Sequence, residues 1–307
     1  MALTLIEAAK GESNLVVRGV IETFMENQRL TQIIPFREIT GSTDGIEMEA
    51  VLPGAATRGV NENFTPSEGR TEEVIQSLKI YGGDIGVDPF ILKTKGGQAA
   101  RQIAMKIKAI SNRWVTDFFR GDSAADPRDF DGLQLRLDGF NLISAGTTAN
   151  GAALPLTILD EAIGRCHNPQ YLCMGRQMVT RFTQAARSTT GTGTVIRTDK
   201  NDFGKQATFY GDLEIVKVTD NQNNDNVLDF TEAAASGTDT ASSIYVMGTG
   251  DDGVEGIQNG GFDVRNLGED NTNVREDTRV EWYNTFHINH PRSVIRVQHI
   301  GDLAFVS

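Results

Sequence analysis

From Gln98 to Arg120, apolar residues recur at steps of three and four. Ile103, Ile107, Ile110, Trp114 and Phe118 fall on one side, and Gln102, Lys106, Arg113 and Asp117 on the other. That period predicts one long helix with a buried face and a wet face, roughly 35 Å long at about 1.5 Å per residue. Gly96 and Gly97 precede it and Gly121 follows it, a break at each end. No other stretch carries so long a helical pattern. Its wet face is basic, with Arg101, Lys106, Lys108, Arg113 and Arg120 against Asp117 alone. Such a face suits plain solvation or contact with an acidic neighbouring subunit or nucleic acid.

Residues 1–36 read as an arm. Val16, Val17, Val20, Ile21 and Phe24 make a short amphipathic helix with Ser13 as its N-cap. So little apolar mass cannot fold alone, so the helix must lie on something else. From Arg37 to Leu92 the period is two: Ile46, Met48, Ala50 and Leu52 alternate with Glu47, Glu49 and Val51, and the pattern resumes at Val74, Leu78 and Ile80. This predicts a long hairpin. Its connecting stretch, PGAATRGVNENFTPSEGRTEE, is too polar to pack into a core of its own. A two-stranded excursion of this kind is marginal in water; it lies along another molecule or stays a mobile surface loop. The segment IYGGDIGVDPFILK then returns to the long helix, with Gly82, Gly83 and Pro89 as expected bends.

Beyond the long helix, a loop leads to an expected strand at Leu133–Leu137. The second half reads as mixed α/β. Helices are expected at Leu156–Gly164 and at Gln177–Arg187, the latter with Val179, Phe182 and Ala186 on one face. A strand is expected at Tyr171–Met174, and after the loop TTGTGT a hairpin of Gln206–Tyr210 and Leu213–Val218 turns at Gly211 and Asp212. Residues 219–242, rich in Asn, Asp, Thr and Ser, are expected to be a surface excursion. Strands return at Ile244–Met247, Phe262–Val264, Arg279–Tyr283 and Val294–Val297. There is no internal repeat and no low-complexity linker.

Composition narrows the function classes. A chain of 307 residues, 39% hydrophobic and 23% charged, supports one large core or two modest ones and excludes overall disorder. The net charge of -12 argues against a protein devoted to gripping phosphates. The N-terminus lacks a cationic start followed by an apolar block, and no apolar run approaches the roughly 20 residues of a membrane helix. The expectation is a soluble, unexported protein. Cys166 and Cys173 are too few for a disulfide framework and are expected to be thiols.

Candidate chemistry is sparse. Gly248-Thr249-Gly250-Asp251-Asp252-Gly253 has GxGxxG spacing after an expected strand, yet the next residues, VEGIQNGGFDV, are too glycine-rich to open a helix, and two aspartates would repel a pyrophosphate. Asp220, Asn224, Asp225 and Glu232 only loosely evoke a calcium loop, lacking its central glycine. Cys166, His167 and Cys173 with His287, His290 and His299 lack zinc-site spacing, so the cysteines read as small core residues. Arg120-Gly121-Asp122 spells an adhesion tripeptide that reads as chance. No GxSxG elbow is present, and no catalytic trio, cofactor site or metal site is assigned.

The order of these elements, an amphipathic arm, an extended loop, a long helix and a compact α/β domain, resembles the major capsid protein of tailed bacteriophages. The stretches IPFREITG, LPGAATRGVNENFTPSEG, LKIYGGDIGVDPFILK, YGDLEIVKV and VREDTRVEWYNTFHINHPRSVIRVQHI look like that family. The resemblance implies an α+β shell subunit with an N-terminal arm at 1–36, an extended hairpin loop and peripheral domain at 37–140 with spine helix 98–120, an axial domain at 141–280, and C-terminal strands at 281–307 completing the core. It implies hexamers and pentamers forming an icosahedral head around double-stranded DNA, in a virion assembled in the bacterial cytoplasm. Implied partners are further copies of the chain, a portal, a decoration protein and DNA contacted weakly and without sequence specificity, with no membrane. A separate scaffolding protein is expected, because the arm begins within about fifteen residues of Met1. An encapsulin-type compartment shell is the alternative reading, and a soluble α/β enzyme the more distant one. Expected assembly contacts are Arg58, Asn61, Glu62, Phe64, Glu68, Arg70, Arg101, Lys106 and Arg113. Some family members weld subunits through a loop lysine and a neighbour's asparagine; here no lysine stands between Lys10 and Lys79, which implies an uncross-linked shell.

Overall fold

The computed structural model describes residues 3–5, 15–51, 53–95, 97–187, 196–200, 206–219, 227–269 and 273–305. Ser13, Gly96, the TTGTGT loop and Asp220, Asn224 and Asp225 lie outside them. Helices are α1 (Leu15–Asn27), α2 (Leu30–Ile33), α3 (Pro89–Thr94), α4 (Gln98–Arg120), α5 (Leu133–Arg136), α6 (Leu156–Arg165) and α7 (Arg176–Arg187). Strands of the first half are β1 (Leu3–Thr4), β2 (Pro35–Glu38), β3 (Thr43–Val51), β4 (Arg70–Ser77), β5 (Lys79–Val87) and β6 (Leu142–Ser144). Those of the second are β7 (Tyr171–Gly175), β8 (Ile196–Lys200), β9 (Gln206–Tyr210), β10 (Leu213–Val218), β11 (Glu232–Ala233), β12 (Asp239–Met247), β13 (Val254–Gln258), β14 (Asp263–Glu269), β15 (Glu276–Ile288) and β16 (Val294–Gly301).

Two sheets carry the two cores. The first runs β1-β2-β13-β15-β14, with β5 also paired to β15. The long helix α4 packs against it, because its apolar stripe of Ile107, Ile110, Trp114 and Phe118 is buried. Trp114 stacks on Phe118 at 5.3 Å and donates its indole N–H to Asn284 Oδ1 at 2.7 Å. Helix α1 closes this core: Phe24 sits 5.0 Å from both Phe262 and Trp282. The second sheet runs β6-β16-β12-β7-β10-β9-β8. Leu172, Ile244, Val246, Ile295 and Val297 on its strands bury against Leu159 of α6 and Phe182 of α7. The third sheet is β3 and β4 alone.

The N-terminal segment bridges the two cores. Gln28 donates to Asn112 Oδ1 at 3.1 Å on α4 and also to the carbonyl of Thr219, which lies just beyond β10. Arg29 holds Glu214 of β10 with two bonds of 3.0 and 2.9 Å.

Several expectations are corrected. Leu133–Leu137 is not a strand: a single helical turn forms because Leu133 drops into the core while Arg136 turns back to the carbonyls of Asp131 and Phe286. Gly82 and Gly83 are not bends but lie inside β5, where the backbone of β15 leaves no room for a side chain at Gly82 and the movable end of Lys106 lies over Gly83. Asp117 is buried, not wet, because Tyr81 Oη and Arg113 Nε each donate to its Oδ2 at 2.8 Å. Residues 219–242 are not wholly a surface excursion, since Val227 and Leu228 join the core and β11 pairs with β12. Strand β13, unexpected in a glycine-rich stretch, is accommodated because Gly256 leaves space for the Phe36 ring.

Candidate functional site

The hairpin β3–β4 cannot hold itself. In its register Glu47 stands opposite Glu73 and Ile46 opposite Val74, so one acidic pair repels where one apolar pair attracts. Every described residue from Pro53 to Glu73 is exposed, Val60 at 92% and Phe64 at 59%. The tip is nevertheless shaped locally. Glu62 accepts the Gly59 N–H at 2.8 Å, Arg58 donates to the Glu62 carbonyl at 3.0 Å, and its guanidinium lies 5.4 Å from the Phe64 ring centre. Asn61 takes a φ of +66°, which asparagine tolerates better than most residues. Glu68 and Arg70 are exposed and have no ion-pair partner among the described residues.

The hairpin root is fastened by charge. Arg37 pairs with Asp44 at 2.5 Å and with Glu255 at 3.3 Å. His287, 1% exposed, places Nε2 3.5 Å from Asp44 Oδ2. On the opposite strand Gln76 Oε1 accepts from Arg136 at 3.0 Å. None of Arg37, Asp44, Arg136 or Gln76 stood out in the sequence, where they are ordinary polar residues with no distinctive spacing.

The basic face of α4 divides into two halves. Arg113 reaches Asp117 at 2.8 Å and Asp129 at 2.5 Å, and Arg120 reaches Asp229 at 2.9 Å, so both are engaged within the subunit. Lys106 lies over Gly83, and Arg101 is exposed without an ion-pair partner among the described residues. The expected contact residues therefore fall into a hairpin group and a helix group, and the structure does not bring the two together within one subunit.

The other described motifs sit in turns, cores and local contacts. Gly248–Gly253 is the turn from β12 into β13, closed by Val254 N–H to Gly248 O at 2.9 Å, and a strand comes next where a phosphate site needs a helix. Cys166 and Cys173 are both buried and lie in different cores. Burial pushes both thiols up, Cys166 to about 12, so neither forms a ready thiolate. His167 stacks on His290 at 4.1 Å, while His299 meets Ser144 Oγ at 3.0 Å. Asp122 accepts the Ala124 N–H at 2.9 Å, closing a local turn.

Comparison with known proteins gives no match to a protein-family model and none to a curated sequence. Solved structures do match. The holo-SrpI encapsulin complex from Synechococcus elongatus PCC 7942 superposes with a TM-score of 0.68 at 14% identity, over 100% of this chain and 99% of that one. The capsid of a native GTA particle gives 0.61 at 10% identity, over 89% and 90%. Microbacterium phage Oxtober96 gives 0.60 at 11%, over 86% and 88%. The fold of this chain is the α+β shell-protein fold that phage capsids, GTA capsids and encapsulins share.

Proposed function

We propose that this chain, having that fold, is the subunit of a closed protein shell and, more specifically, a major capsid protein whose hexamers and pentamers enclose double-stranded DNA in a phage head. The carrying observation is the hairpin, whose described residues from Pro53 to Glu73 are all exposed. A second copy supplies what it lacks. Its glutamates, Glu47, Glu72 and Glu73, complement the basic half-face of α4 at Arg101 and Lys106, and the tip residues Arg58, Asn61, Glu62, Phe64, Glu68 and Arg70 complete the contact. Interfaces of this kind bury on the order of 2,000 Å² or more. The net charge of -12 suits a container whose wall does not hold its genome. Scaffolding, portal and decoration proteins are proposed partners, and the virion the proposed location.

One observation favours a compartment shell instead: the encapsulin complex matches over both whole chains. Electron microscopy of the expressed protein, alone and with its neighbouring gene products, tests the shell reading. Closed particles support it, and monomers under all conditions overturn it. Nuclease-protected DNA in the particles supports the phage reading, whereas DNA-free particles holding a bound protein cargo favour the compartment. Boiling purified shells in detergent is expected to release one band near 33.4 kDa, and a reduction-resistant ladder would contradict the uncross-linked wall.

A further inference from the structure

Beneath the hairpin root lies a pocket of about 320 Å³, lined by Val74 and Gln76 of the hairpin and by Arg136, Asp138, His287 and Ile288 of the body. Arg136 is largely withdrawn from water, yet its hydrogen-bond acceptors are all neutral: the Asp131 carbonyl at 2.6 Å, the Phe286 carbonyl at 2.8 Å and Gln76 Oε1 at 3.0 Å. The Phe286 ring lies against its guanidinium at 3.9 Å. No carboxylate lies within ion-pair distance of it among the described residues. Asp131 turns its carboxylate to the Ser123 N–H at 2.9 Å, and Asp138 is exposed. A withdrawn charge whose nearby carboxylate, that of Asp131, acts on it only from beyond ion-pair distance is costly. Of the five N–H groups of a guanidinium, these bonds leave two, the number a planar carboxylate accepts. Beside it, buried His287 Nε2 has no hydrogen-bond partner, and its neighbour Asp44 is already held by Arg37.

We propose that this pocket is a carboxylate-binding site, in which Arg136 takes the carboxylate, His287 flanks it and Val74 and Ile288 cover an apolar stem. The carboxylate comes either from a free small acid or from a glutamate of a second copy. Because Gln76 shares the Arg136 fork, occupancy also bears on how the hairpin is seated. The site stands independently of the shell reading; only the choice of source draws on it.

Calorimetric titration of the full chain with propionate tests this, with propionamide as the uncharged control and matched chloride for ionic strength. Unassembled subunits are expected to bind one propionate saturably and propionamide not at all. Arg136→Gln is expected to weaken binding more than 10-fold, and Asp138→Asn, an exposed change that leaves folding intact, to tighten it several-fold by removing a like charge at the rim. Propionate binding by subunits and assembled particles alike identifies a free acid as the ligand; binding by subunits alone identifies a neighbour's glutamate. Absence of saturable binding to subunits, or affinity unchanged in both Asp138→Asn and a folded Arg136→Gln, overturns the proposal. If no particle forms, the subunit titration still decides it.

Discussion

Replacing Phe24 by alanine tests whether helix α1 is a loose arm or part of the subunit core. The ring is 0% exposed and meets Phe262 and Trp282 at 5.0 Å and Trp114 at 6.5 Å. Truncating a buried Phe removes its transfer energy and leaves a cavity, together about 3–5 kcal/mol. Aromatic contacts add about 0.5–1.5 kcal/mol beyond area, which places Phe24→Ala toward the upper end of that range. Against a typical domain stability of about 5–15 kcal/mol, the variant is expected to fold but with a large loss. Val16 on the same helix is 53% exposed, so Val16→Ala is expected to stay within about 0.5 kcal/mol. The assay is urea unfolding of unassembled subunits followed by tryptophan fluorescence. The chain has only two tryptophans, and Trp114 and Trp282 both lie in this cluster, so the signal reports on the site itself. A cost below about 1 kcal/mol with unshifted emission would refute the docking of α1.

Deleting Ala55–Glu68 is expected to leave a soluble folded subunit, since this stretch is exposed throughout, while abolishing closed particles; normal particles by electron microscopy would refute the hairpin's role. Gly82→Ala is expected to cost about 1–3 kcal/mol, because the new Cβ would stand 2.3 Å from the Val280 carbonyl oxygen. Gly83→Ala should cost under about 1 kcal/mol, because it meets only the movable end of Lys106, and thermal unfolding of the pair checks the order. Burial lowers the His287 pKa to about 4, opposed by Asp44 and reinforced by Arg136 and Arg37. The neutral ring therefore contributes stability above the unfolded pKa of about 6.5, and that contribution is lost as pH falls toward 4. His287→Gln is expected to reduce the stability difference between pH 7 and pH 4.5 by about 2–3 kcal/mol in urea unfolding, and an unchanged difference would refute the assignment.

Long periodic segments were legible from sequence because their burial repeats with the backbone. The α4 stripe and the alternation of β3 are of this kind, and the β9–β10 hairpin was marked by Gly211, which takes a φ of +59°. What escaped was decided by contacts distant in sequence. Strand β13 depends on Phe36 filling the space above Gly256, and the α5 turn on Arg136 reaching Phe286, 150 residues away. Asp117 reads as solvent-facing by period, yet Tyr81 and Arg113 make its burial tolerable. The hairpin tip was legible as a stretch too polar to pack. Its root was not, because Asp44 with His287 and Gln76 with Arg136 become pairs only once the sheets are assembled.

Strand β15 is the middle of the first sheet, and β16 lies between β6 and β12 in the second. Each follows every other strand of its own sheet in chain order, at Glu276–Ile288 and Val294–Gly301. At about 5–20 residues per second, a ribosome takes roughly 13–50 s to pass from β2 to the end of β15, and throughout that interval the first sheet lacks its central strand. Neither core can close early. The same order leaves the edges that β5, β13 and β14 turn toward β15 unpaired until that strand arrives, so the nascent chain is most open to wrong strand pairing in that interval.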